Sequence, residues 1–137
     1  MWINDARVDQ YTGLKPDWDA QLAGLVADLG AHPALDGYFI IDEPGRDQFA
    51  DLGLVVTRLR QLDPTRVPYI NLLPDYVSPA AWGTPPTPST STGTWPRSAA
   101  LLSVDVYPFQ ESGDRPSYFA NLALIRDRAR AAGIPGC

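Results

Sequence analysis

The sequence predicts an α/β protein of parallel β/α units, and three observations carry the prediction. Apolar runs without polar alternation, of the kind that suits a strand buried on both faces, occur at Tyr38–Asp42, at Val67–Leu73 and within "ALLSVDVYPF". The segments between them place apolar residues at helical spacing. Each apolar run also ends, at its C-terminal side, in carboxylate, amide or phenol groups, where parallel α/β proteins build their sites.

The elements follow in order. "MWINDARV" reads as the tail of a preceding strand. Asp17–Leu29 reads as a helix, with Trp18, Leu22, Leu25, Val26 and Leu29 on one face, Asp17 as N-cap and Gly30 as the C′ residue. "HPALDG" then turns the chain into the first full strand, Tyr38–Asp42, expected to be buried on both faces. "GRDQ" opens a second helix, whose stripe is Phe49, Leu52, Val55, Val56, Leu59 and Leu62. "DPTR" turns into "VPYINLL", where Pro68, lacking an N–H, is tolerated only at the start. A Pro/Ser/Thr-rich loop spans residues 74–98; its "GTPPTPSTSTGT" portion has too few apolar residues to bury a core. "ALLSVDVYPF" is the third strand, and "DRPSYFANLALIRDRARAAG" the third helix, with Tyr118, Leu122, Ile125, Ala129 and Ala132 on one face and Gly133 closing it. "IPGC" has the look of another strand beginning.

With 137 residues the chain is long enough for one domain with a core, and strands every ~30–35 residues match the period of a barrel that divides about 250 residues into eight units. There is room for about four such units. A small open α/β sheet fits, and so does part of a (β/α)8 barrel; the abrupt ends favour the second.

Several function classes are excluded or weakened. The net charge is −5 and the basic residues are scattered, which argues against a nucleic-acid partner. No apolar run approaches the roughly 18 residues of a membrane span. No signal peptide opens the chain as given, which leaves secretion or a periplasmic location open for a longer protein. Cys137 is the only cysteine and His32 the only histidine, so no internal disulfide forms, a His/Cys zinc site is set aside, and no cofactor is expected. His32 lies before a strand, at the wrong end for a Ser-His-Asp triad on a parallel sheet.

The strand ends carry the functional signal. The first presents Asp42 and Glu43, the second Asn71 with Asp75 and Tyr76 beyond it, and the third Asp105, Tyr107 and Gln110. One polar strand end is ordinary contact with water; three that match are what a polar site requires. "HPALDGYFIIDEPG", "VPYINLLPDY" and "LLSVDVYPF", in that order, resemble the retaining (β/α)8-barrel glycoside hydrolases, and most closely the bacterial members with "DEP" in place of "NEP". The likeness runs from about Trp18 to Gly133 and implies a chain lying around barrel strands four to six.

The resemblance implies that Glu43 is the acid/base, protonating the departing glycosidic oxygen. It implies that Asp42, standing where the family more often has Asn, touches the sugar, that Asn71 and Asp105 line the sugar pocket, and that Tyr107 sits near the nucleophile. Trp82 and Trp95 are placed to stack on sugars or to pin their loop. The second carboxylate of a retaining site is implied on a seventh strand, beyond Cys137, so the chain is expected to be a fragment of a glycosidase acting on oligo- or polysaccharides. Two other readings remain: a Mg²⁺-dependent barrel using Asp42, Glu43 and Asp105, though no lysine ends a strand, and a non-catalytic barrel piece. Open sheet edges make self-association a further expectation.

Overall fold

The computed structural model of the chain describes residues 1–9, 13–74 and 101–134. Its centre is a parallel four-stranded sheet in the order β1 (Trp2–Ile3), β2 (Gly37–Asp42), β3 (Val67–Leu72), β4 (Leu102–Val104). All three pairings are parallel. Helix α1 (Trp18–Leu29) joins β1 to β2, and α2 (Phe49–Leu62) joins β2 to β3. Helix α3 (Tyr118–Ala132) packs against β4. "MWINDARV" therefore contributes a strand, as expected. The Asp75, Tyr76, Trp82 and Trp95 assignments, the loop around them and residues 135–137 lie outside the described residues.

The core forms where the helix stripes meet one face of the sheet. Leu22 and Leu25 of α1 and Leu52, Val55, Val56 and Leu59 of α2 close over Tyr38, Ile40, Ile70 and Leu72. Each such side chain, fully removed from water, contributes roughly 1.5–3 kcal/mol. Trp18, Val26, Leu29 and Leu62 pack around the edge of this cluster. The two helices are tied on their outer side by Arg58, which donates to both carboxylate oxygens of Asp19, Nε at 2.5 Å and Nη2 at 3.2 Å.

Beneath this core, at the N-terminal end of the sheet, the buried Tyr38 hydroxyl donates to Asp63 Oδ2 at 2.8 Å. The other carboxylate oxygen, Oδ1, accepts from the Thr65 hydroxyl at 2.8 Å and from the Thr65 amide at 3.3 Å. One carboxylate thus ends α2 and holds the turn into β3.

Several expectations need correction. β2 is less evenly buried than expected: Tyr38 and Ile40 are buried, Phe39 and Ile41 only half-buried. Gly30 is not a left-handed cap; its φ is −60°, and a Cβ there would lie 2.7 Å from the Val26 carbonyl oxygen and 3.2 Å from Asp63 Oδ2. Gly133 does close α3 in the left-handed region, at φ +67°. The third strand is only three residues long. Its last rung is the Asp105 amide donating to the Leu72 carbonyl at 3.3 Å, after which the chain turns into an unforeseen hairpin, β5 (Phe109–Gln110) and β6 (Gly113–Asp114). The α3 stripe is also displaced: Asn121, Ile125 and Ala129 are buried and Leu122 is exposed. Asn121 enters the core because its amide donates to the Ser117 carbonyl one turn back, at 3.2 Å.

Candidate active site

The site is built at the C-terminal ends of β2, β3 and β4, and a shift of register makes it. Phe39 pairs with Tyr69, yet the next paired residues are Ile41 with Ile70 and Asp42 with Asn71. β2 thus carries one residue more than β3 over this stretch. A bulge of this kind reverses the in/out alternation beyond it. Ile40 and Ile41 both pack toward the helices, and Asp42 emerges on the same face as Phe39, three residues earlier. Without the bulge Asp42 would point into the core.

On that face Asp42 meets Asn71, whose Nδ2 donates to Asp42 Oδ1 at 2.9 Å. The Asn71 Oδ1 accepts from Ser103 Oγ at 3.1 Å, and Ser103 Oγ lies 3.1 Å from the Tyr69 hydroxyl. Asn71 and Ser103 are only 7% and 6% exposed, so the row lies beneath the surface with Asp42 at its solvent end. Tyr69 is held from the other side by Trp2 and Phe39, with ring centroids 5.1 and 5.2 Å away.

Glu43 is the residue after the strand. Its amide still donates to the Asn71 carbonyl, at 2.8 Å, so the backbone is fixed to β3. Its φ is +46°, the only positive value at a non-glycine among the described residues. Such a conformation costs an L-residue about 1–3 kcal/mol and persists only where its surroundings enforce it. Here the Glu43 amide is held by its hydrogen bond to the Asn71 carbonyl, and the buried Pro44 follows it. Burial pushes the Glu43 carboxyl above its usual range, and the Asp42 and Asp105 carboxylates push it the same way. The side chain is largely exposed, so solvent screens all three effects.

The third strand end completes the group. The Tyr107 hydroxyl donates to Asp105 Oδ2 at 3.1 Å, and Arg115 Nε donates to the Tyr107 carbonyl at 3.1 Å. The bond to Asp105 raises the Tyr107 phenol above its usual value, with smaller contributions from the charge of Asp105, burial, Glu43 and Asp42. Glu43, Asp42, Asp105 and Tyr107 therefore share one electrostatic neighbourhood. Asn71 lies below them, bonded to protein at both ends of its amide.

A cavity of about 600 Å³ opens beside Glu43, lined among others by Asn4, Asp5, Asp9, Phe39, Asp42 and Gln48. Asn4, Asp5 and Asp9 were missed by sequence reasoning. They follow β1 as Asp42 and Glu43 follow β2, so the same rule applied to the opening segment finds them. Asp5 is held ionised chiefly by its hydrogen bond from Arg7, whose Nη1 also donates to Asp28 at 2.6 Å. Gln110, in β5, is exposed in the hairpin. Among the described residues no group of three His, Cys, Asp or Glu side chains is arranged to hold a metal ion. No helix among them is long and apolar enough to cross a membrane.

Chemically, the arrangement offers one carboxyl biased toward its protonated form beside two carboxylates, a phenol and an open cavity. Comparisons with protein-family models, curated proteins and solved structures return no significant match.

Proposed function

We propose that the chain forms consecutive units of a (β/α)8-barrel glycoside hydrolase, with Glu43 as the general acid/base. The observation that carries this reading is Glu43 itself: a glutamate in a left-handed backbone conformation at the end of a central parallel strand, beside two further carboxylates. Strain at a residue with a raised pKa, beside a cavity, is what a proton donor at an active site shows. The strand order supports the barrel. It runs β1-β2-β3-β4 without the reversal of a doubly wound sheet.

In this mechanism Glu43 gives its proton to the departing glycosidic oxygen and later takes one from the attacking water. Burial, with the charges of Asp42 and Asp105, keeps the proton on Glu43 to a higher pH than an ordinary glutamate holds it, as the donor role needs. Asp42 and Asp105 accept hydrogen bonds from sugar hydroxyls. Retaining chemistry requires a second carboxylate about 5 Å from the first. Glu111, the only other glutamate, is exposed in the turn of the β5–β6 hairpin and does not supply it. The reading therefore places the nucleophile on a later barrel strand, outside the described residues.

The test is release of reducing sugar from natural oligosaccharides by the full-length protein and its Glu43→Gln variant. Loss of general acid catalysis lowers the rate about 10²–10⁴-fold. Equal rates for the two proteins remove Glu43 from this role.

A further inference from the structure

We propose that Tyr69, Ser103 and Asn71 form a directional hydrogen-bonded row that positions Asp42 beside Glu43, with Asn71 and Ser103 acting as positioning residues rather than as sugar ligands. The direction of the row follows from proton counting. An ionised carboxylate accepts and cannot donate, so the Asn71 group facing Asp42 Oδ1 at 2.9 Å is its Nδ2. The Asn71 oxygen then faces Ser103, and Ser103 Oγ must donate to it across 3.1 Å. A serine hydroxyl has one proton. With that proton committed to Asn71, the Tyr69 hydroxyl, 3.1 Å from Ser103 Oγ, is the donor of the last pair.

All the protons of the row therefore point one way, toward the charge on Asp42. Hydrogen bonds in such a series polarise one another, and burial strengthens them. The start of the row is fixed as well, because the Tyr69 ring packs against both Trp2 and Phe39. The row runs from β3 to β4, back to β3 and on to β2, so the sheet register determines where the Asp42 carboxylate stands. Without Ser103 Oγ the Asn71 oxygen loses the donor that anchors it at 3.1 Å, and the amide is held in this row by its bond to Asp42 alone. So loosened, it lets the Asp42 carboxylate move away from Glu43 toward solvent. Among the described residues, the charged and titratable groups around Glu43 include Asp42 on its own strand, Asp105 and Tyr107 beyond β4, and Asp5 and Asp9 across the cavity. Of these only Asp42 is held by the row.

The catalytic consequence rests on the proposed acid/base role of Glu43, but the positioning itself does not. The experiment reads the Glu43 proton directly, so the two ideas fail separately. The chain holds only two glutamates, Glu43 and Glu111, so protein labelled with ¹³C at the glutamate carboxyl gives two resonances, assigned by Glu43→Gln. Titration of the folded protein then follows Glu43 without any substrate. Asp42→Asn, which removes the charge, is the reference and moves the Glu43 midpoint down toward the ordinary glutamate range. Ser103→Ala is expected to move it in the same direction, and Ser103→Thr, which restores the hydroxyl, to leave it at the parent value. Tyr69→Phe, which keeps the packed ring and deletes only the hydroxyl, is expected to give a smaller downward shift. A Glu43 midpoint that moves in Asp42→Asn but stays at the parent value in Ser103→Ala or, should that variant not fold, in Tyr69→Phe overturns the proposal.

Discussion

At the scale of single residues, Glu43 combines two disadvantages that the fold tolerates. Its backbone lies at φ +46°, and its carboxyl is harder to ionise in the folded chain than in the unfolded one. The sign of the second effect is definite. A carboxyl whose folded pKa is raised contributes full stability below its unfolded value, near pH 4.3, and loses it as pH rises. Glu43→Gln is therefore expected to melt at or above the parent temperature at pH 7 while losing activity. Glu43→Gly relieves roughly 1–2 kcal/mol of left-handed strain and returns about 0.5–1 kcal/mol of chain entropy, so its melting temperature should equal or exceed the parent's. A clear fall in either variant contradicts the strained, proton-holding description.

Tyr38 gives the opposite case, a titratable group used for stability. Burial and the Asp63 bond push its phenol far above the ordinary tyrosine value. Its stabilisation is thus complete below about pH 10 and lost above it, as the unfolded phenol ionises first. Tyr38→Phe should cost about 1.5–3 kcal/mol, the worth of a hydrogen bond to a charged group. Urea unfolding should show the gap between parent and variant narrowing as pH passes about 10; a gap independent of pH contradicts this.

At the scale of elements, the long apolar runs and helical stripes were legible because hydrophobic spacing alone determines them. The features that build the site were not. The β2 bulge leaves no mark in "GYFIID", since Ile40 and Ile41 are equally apolar whichever way they face; only pairing with β3 reveals it. The β5–β6 hairpin hides inside "YPFQESGDRP", whose apolar start reads as a continuing strand. Asn121 stands outside the apolar stripe expected for α3, yet it is buried with its amide bonded to the Ser117 carbonyl. Polar strand ends were readable in kind: Asp42, Glu43, Asp105 and Tyr107 do gather. The inward place of Asn71 was not, since burial of an amide depends on partners from another strand. Gly37 offers an element-scale test. A Cβ there would collide with the Val67 carbonyl and the Trp2 ring, so β1 and β3 both depend on its absence. Gly37→Ala is expected to destabilise by about 1–3 kcal/mol, the usual cost of overpacking, measured by urea midpoint. An unchanged midpoint contradicts the described register.

At the scale of the whole molecule, the parallel sheet has β1 at one edge and β4 at the other. Among the described residues no strand pairs with either outer edge; such edges template association, and we expect sedimentation of the 137-residue chain to show concentration-dependent self-association. A strict monomer up to high micromolar concentration contradicts that expectation. On the proposed reading, in which the nucleophile comes from a later barrel strand, the 137-residue chain by itself is expected to hydrolyse glycosides at no useful rate, and release of reducing sugar by it at enzymatic rates contradicts that reading. The central claim is the role of Glu43 as proton donor to a leaving group. It is tested most directly by measuring kcat/KM for the full-length protein and its Glu43→Gln variant across a series of aryl glycosides of graded leaving-group acidity. The account predicts that the variant approaches the parent with the most acidic leaving groups and falls progressively behind as they become poorer. A loss of equal size across the whole series would contradict it.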